Sequence, residues 1–349
     1  MSIQMHVKSI LIVTKAYEKS MITYTAVIAR FLLAKGYIVY VESHLETDGM
    51  FDAPKIIADA EDSEQARKHL RYWTPELCSK RPHLIDFVIT LGGDGTVLYA
   101  SWLFQRVAPP TLSFSLGSLG FLTKFDFDHH EQTLTRAFNE GVTIGLRLRF
   151  EGTVMRSIPT TSPIRDLCDE ILTPESPSSP PTHHRGESFI ILNEIVVDRG
   201  PNPTLSTTEL YGDNMFLTSI AADGVCIATP TGSTAYSLAA GGSLVHPELP
   251  AMLVSVICAH SLTFRPLILP DSMVLRIGVP YNARTSSWVS FDGRMRTELK
   301  QGDYVSIIAS RFPFPIIQCK RDNMDWFDSL RRTMNWGARA GQKPFDHKM

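Results

Sequence analysis

The chain has 349 residues, long enough for two domains or one large one and for a substantial core. Its composition, 44% hydrophobic and 20% charged, is that of a globular protein, and a formal charge of -2 argues against nucleic acid or an anionic membrane as the main partner. No apolar stretch approaches the ~20 residues of a membrane span, and no secretory or transit segment precedes the first core strand, so a cytoplasmic location is expected. In chain order, Ser9–Val13 reads as a strand, Met21–Lys35 as a helix with Gly36 at its C-cap, and Tyr37–Val41 as a second strand. Ser63–Tyr72 reads as a polar helix, Ile85–Thr90 and Thr111–Ser115 as strands, and Asp128–Asn139 as a helix closed by Gly141. This alternation predicts an α/β domain over residues 1–141 with a doubly wound, mostly parallel sheet.

From Val142 the rhythm changes to short strands, among them Thr143–Phe150, Phe189–Asp198, Val225–Ala228 and Tyr304–Ala309. An all-β, sandwich-like domain is expected over 142–317, interrupted at 157–188 by a Pro/Ser-rich insertion that reads as a mobile surface loop. The tail 318–349 carries Trp326, Phe327, Leu330 and Trp336 at helical spacing and is expected to pack on the α/β domain. Cys78, Cys168, Cys226, Cys258 and Cys319 form no C-x-x-C pair and read as reduced structural thiols. The pairs His129-His130 and His183-His184 read as solvated loop residues, and no metal-ligating cluster is visible.

Three segments carry chemistry. Gly92-Gly93-Asp94-Gly95-Thr96 follows an apolar strand and opens a helix, where free N–H groups and the helix dipole favour an anion. Asp94 would repel a phosphate unless its charge serves a metal or a substrate hydroxyl; a plain strand-to-helix turn explains the pentapeptide equally well. Asn193-Glu194 interrupts the apolar run Ile190–Val197, and one amide with one carboxylate suits vicinal ribose hydroxyls. In a regular strand the two face opposite sides, so taken alone one of them faces water. Asp198-Arg199 reads as a turn ion pair. Finally, Asp223-Gly224 leads through a strand into Thr229–Ser237, which holds five Ser/Thr hydroxyls in nine positions together with Tyr236. Such a run offers donors to phosphate or base edges and a ring for stacking, beyond what one N-cap requires.

Together with Leu119–Thr123, His260–Pro266 and Phe291-Asp292-Gly293-Arg294, these segments resemble the NAD kinases, in particular their fungal-like eukaryotic branch. Gly-Gly-Asp-Gly is shared with lipid kinases; Thr-Pro-Thr-Gly-Ser-Thr-Ala-Tyr is far more specific. The resemblance spans nearly the whole chain. It implies transfer of the γ-phosphate of ATP to the 2′-hydroxyl of the adenosine ribose of NAD, giving NADP, with Mg²⁺ or another divalent cation. It implies Asp94 as general base, and Gly92, Gly93, Gly95 and Thr96 around phosphate. Gly95, Asn193, Glu194, Asp223, Thr234, Ala235, Tyr236, Ser237 and Ala239 would line the NAD site. Phe121, Arg265, Asp292 and Arg294 are secondary candidates, for which structural roles are as well supported. Ala259 replaces a proline of the family pattern, and Ala239 stands where a serine often sits. A homo-oligomer is expected, with neither nucleic acid nor membrane as partner. The competing functions are a lipid kinase of the diacylglycerol or sphingosine type and a catalytically silent NAD-binding sensor.

Overall fold

A computed structural model describes residues 2–14, 19–160, 165–173, 180–318 and 324–336. Cys319, parts of the 157–188 insertion and the tail beyond 336 lie outside the described residues.

The first layer system is a nine-stranded, mostly parallel sheet. Its central strands are Phe87–Leu91 and Ser9–Thr14, flanked on one side by Ile38–Glu42 and Leu70–Trp73 and on the other by Thr111–Ser115. All of these run parallel. Strands this apolar must be covered on both faces. Helices Lys19–Ala34 and His130–Glu140 help bury one face around Ile10, Ile12 and Phe87, and helix Asp94–Leu103 covers the other around Leu11, Val13 and Val88. Strand order reverses between Ser9–Thr14 and Phe87–Leu91, the point where such sheets open a crevice at their carboxyl ends. The glycine loop follows Leu91 at that point.

Two six-stranded antiparallel sheets form the second part. One contains Phe150–Ser157 and Tyr304–Ala309, the other Gly224–Ala228, Glu194–Asp198 and Ser287–Phe291. Alternate residues from both, including Val154, Ile307, Ile195, Ile227 and Phe291, bury one shared core, which makes the pair a sandwich.

Several sequence expectations change. The expected helix Ser63–Tyr72 stops at His69, because Leu70–Trp73 pairs with Val39–Glu42 as the sheet's edge strand. Expected strand Thr143–Phe150 is two strands in different sheets: Val142–Arg147 joins the first sheet beside the edge strand Ser2–Ile3, and the second begins at Phe150. Phe314–Gln318 also returns to the first sheet, between Val142–Arg147 and Thr111–Ser115, so the β-rich stretch 142–317 starts and ends outside the sandwich.

The insertion is less of a loop than its composition implied. His183–Ile191 is a strand registered with Phe150–Ser157, and a short helix, Leu167–Leu172, sits between them. Arg165 clamps that helix through a two-pronged bond to Glu170 at 2.7 and 2.9 Å, with its guanidinium 4.4 Å over the Tyr281 ring. His183 is buried, not solvated; its Nε2 meets the Gly302 carbonyl at 2.8 Å, and burial holds its pKa below the usual range.

The C-terminal helix, Met324–Met334, touches both parts of the molecule instead of the α/β part alone. Ser329 bonds to Gly120, while Trp326 and Phe327 pack on His246. No helix among the described residues is long and apolar enough to cross a membrane.

Candidate active site

Leu91 ends a fully buried strand, and Gly92 turns the chain at φ 144°, a conformation that glycine adopts without strain. Gly93 is the N-cap of helix Asp94–Leu103 and no side chain caps it. A Cβ built on Gly93 or Gly95 would meet no atom within 4 Å, so the first turn's backbone is open to an incoming group. Free N–H groups, dipole and open space together suit an anion at this turn. Thr96 is buried beneath it.

Asp94 is half-buried, and neighbouring donors hold its carboxylate. Its Oδ1 accepts hydrogen bonds from the Leu122 and Thr123 amides and the Thr123 hydroxyl, each at 3.0 Å, and its Oδ2 accepts one from the Phe121 amide at 2.9 Å. Oδ1 is therefore saturated, and Oδ2 keeps a lone pair. The fit requires glycine at 120, because a Cβ there would lie 2.2 Å from Asp94 Oδ1. Phe121 thus enters the site through its backbone. Thr123, legible in the sequence only as the end of the Leu119–Thr123 motif, gives Asp94 both its amide and its hydroxyl.

Asn193 and Glu194 sit where the strand breaks. The expected single strand Phe189–Asp198 is two, His183–Ile191 and Glu194–Asp198. Asp292 breaks it. In a left-handed turn (φ 48°), its carboxylate accepts from the amides of Leu192, Asn193 and Glu194 at 2.8, 2.8 and 3.1 Å. With the ladder interrupted, both side chains of the Asn-Glu pair can address one ligand. Burial leaves Asn193 Oδ1, Glu194 Oε2 and Thr231 Oγ1 with no hydrogen-bond partner. The Glu194 carboxyl is pushed up to about 7, chiefly by burial and then by the Asp292 charge, against the opposing Tyr236 amide. Asp292 itself is raised by burial and held back by its three amide donors.

The hydroxyl-rich turn packs directly on this break. Thr229 Oγ1 donates to the Leu192 carbonyl at 2.6 Å, and a Cβ on Gly232 would strike the Asn193 carbonyl at 2.2 Å. Ser233 locks the turn to Val245, Thr234 closes it on the Thr231 carbonyl, and Ser237 is buried against Ser255 at 3.0 Å. Those hydroxyls are structural here. Ala235 and Tyr236 open the next short helix, whose last residue, Ala239, is exposed. Tyr236 is 45% exposed, and its hydroxyl pKa is raised, first by partial burial and then by neighbours that include Asp198 and Asp223.

Arg294 spans the two parts. Its guanidinium lies 4.7 Å over the Tyr99 ring and reaches the Gly95 carbonyl at 3.4 Å. Asp223 immediately precedes strand Gly224–Ala228, and its charge acts on the Tyr236 hydroxyl. It pairs there with Arg199 at 3.0 Å, while Asp198 pairs with Arg296, so the expected Asp198-Arg199 pair does not form. Arg265 is exposed and folds back on its own loop, donating to the Leu262 and Phe264 carbonyls.

Comparison with known proteins agrees with this architecture. Residues 10–142 match the ATP-NAD kinase N-terminal domain and residues 192–319 the ATP-NAD kinase C-terminal domain. The NAD(+) kinase of Saccharomyces cerevisiae is 42% identical over 348 residues, 99% of this chain and 63% of that protein. An uncharacterized kinase of Schizosaccharomyces pombe is 45% identical over 307 residues, 88% of this chain, which spans about half (52%) of that relative's length. The crystal structure of yeast NADH kinase complexed with NADH superposes with a TM-score of 0.75 at 29% identity, covering 97% of this chain and 91% of that one. With matched domains on both sides of the Asp94–Asn193 site and a shared fold, the chain belongs to the ATP-NAD kinase family.

Proposed function

We propose that this chain is an NAD kinase, transferring the γ-phosphate of ATP to the 2′-hydroxyl of the adenosine ribose of NAD and so making NADP. The observation that carries the reading is the set of buried groups without partners: Asn193 Oδ1, Glu194 Oε2 and Thr231 Oγ1. Leaving each unpaired costs about 1–3 kcal/mol, which ribose or amide donors of a bound dinucleotide would offset. The exposed Tyr236 offers a ring for stacking on a base, and the Gly92–Thr96 turn a place for phosphate.

A ribose hydroxyl is a weak nucleophile and needs a proton acceptor. Asp94 supplies it in this reading through Oδ2, the oxygen with a lone pair to spare, while four donors fix the carboxylate's orientation. Such a base contributes about 10²–10⁴-fold, and positioning and electrostatics supply the rest. The phosphoryl donor in this reading is the magnesium complex of ATP, whose phosphate oxygens would carry the ion. NADH presents the same 2′-hydroxyl as NAD, so both acceptors belong in the assay. The reading also places the enzyme in the cytosol as a homo-oligomer. Exposed Leu262, Leu267 and Ile268 around the sandwich edge strand Leu267–Pro270 support self-association, which light scattering would measure.

Pure protein given NAD, ATP and Mg²⁺ should form NADP, and Asp94→Asn should lose about 10²–10⁴-fold in kcat while still binding NAD. Phosphorylation of lipid vesicles without NADP formation would replace this reading with a lipid kinase. NAD binding without turnover would replace it with a sensor.

A further inference from the structure

The amides that orient Asp94 belong to residues 121–123, and this loop has a second contact on its outer side. Ser329, fully buried in the C-terminal helix, donates its hydroxyl to the Gly120 carbonyl at 2.9 Å. The same oxygen accepts from Lys124 Nζ at 2.8 Å, so the hydroxyl is held in one orientation. Gly120 is pinned from within as well, its amide donating to Thr123 Oγ1 at 3.0 Å and its Cα packed on Asp94. One turn back along the helix, Phe327 stacks on His246 at 5.8 Å and Trp326 meets that ring edge-on at 5.3 Å. His246 directly follows Val245, whose amide and carbonyl both bond Ser233 of the hydroxyl-rich turn.

We propose that Ser329 is a positioning residue for the phosphoryl transfer: the C-terminal helix straps the loop that aims Asp94 to the turn packed on Asn193, fixing base and acceptor relative to each other. The inference rests on the NAD kinase reading. Its role is indirect, because Ser329 acts through Gly120 and the three amides and touches no reacting atom. Misplacing a catalytic group by an ångström costs up to about 10²-fold, which sets the size of the effect.

The test combines kinetics with hydrogen exchange on the full chain. Ser329→Ala should lower kcat about 10- to 100-fold with KM for NAD within about twofold, while thermal unfolding shows a folded protein. In an Asp94→Asn background the same change should cost nothing further, because no base remains to be aimed; purely structural damage would multiply the two losses. Amides 121–123 should exchange faster in Ser329→Ala whatever the activity, so this arm decides the strap even if wild-type protein makes no NADP, the result that overturns the functional reading instead. Phe327→Ala, at a 41% exposed position, covers the case in which Ser329→Ala fails to fold, and should lower kcat in the same direction. Unchanged exchange at 121–123, unchanged kcat in the folded variants, or multiplicative losses would each overturn the proposal.

Discussion

Glu194 carries two opposed demands: it must be buried to address a ligand, and burial disfavours its charge. Its carboxyl titrates near 7 in the folded chain against 4.5 ordinarily. A carboxyl raised on folding binds more protons in the native state, so its contribution to stability is full below pH 4.5 and is lost as pH rises through about 7. Over that window the loss approaches about 3 kcal/mol. Asp292, raised by burial in the same direction, adds to the slope. Denaturant unfolding of Glu194→Gln should therefore fall less steeply between pH 4.5 and 7.5 than that of the wild-type chain; an identical slope would show that Glu194 is ionised throughout. At this scale the sequence named Asp94, Asn193 and Glu194 but not what surrounds them. The donors to Asp94 come from 27 to 29 residues away, and the lock on Asn193 from 99. Such pairings leave no local pattern to read.

Elements that alternate or repeat with one period are the legible ones. Ser9–Thr14, Thr111–Ser115 and Tyr304–Ala309 follow from apolar patterning, because packing on the sheet faces only confirms what propensity favours. The breaks are not legible, because distant groups impose them. Leu70–Trp73 is a strand because an open sheet edge accepts it, and the run through Phe189–Asp198 stops at Leu192 because Asp292 removes three amides from the ladder. Asp292→Asn tests the second case. Asparagine tolerates the left-handed turn, yet it replaces one accepting oxygen with an NH₂ facing amide donors. We expect about 1–3 kcal/mol lost in unfolding. We also expect KM for NAD raised about tenfold, the equivalent of 1.4 kcal/mol, with a smaller effect on kcat, measured by steady-state kinetics. An unaltered KM would mean that the strand break does not shape the acceptor site.

At the level of the whole molecule, the change from βα alternation to short strands made the two-part architecture readable, but not what holds the parts together. The Asp94 helix is gripped at its far end. Trp102 stacks on Phe189 at 5.4 Å, Gln105 bonds both the amide and the carbonyl of Ile190, and Arg149 lies fully buried behind them. Among the described residues, Arg149 has no ion-pair partner in contact. Instead it donates to the carbonyls of Phe312 at 2.6 Å, Phe104 at 2.7 Å, Arg106 at 2.6 Å and Ser101 at 3.3 Å. Burial lowers its pKa to about 10, so it remains charged at neutral pH. One guanidinium therefore ties the end of the Asp94 helix to the return of the chain into the first sheet, a task suited to a planar fork of five donors. Lysine keeps the charge but offers a single point of donation, so Arg149→Lys leaves carbonyls orphaned at about 1–3 kcal/mol each. We expect that variant to lose about 3 kcal/mol in denaturant unfolding, with a slope close to that of the wild-type protein because the surface exposed on unfolding is little changed. NADP formation should fall with it, since the helix bearing Asp94 loses its anchor. Equal stability of Arg149→Lys and wild type would show that the hydrophobic contacts around Trp102 and Phe189 dock the helix by themselves.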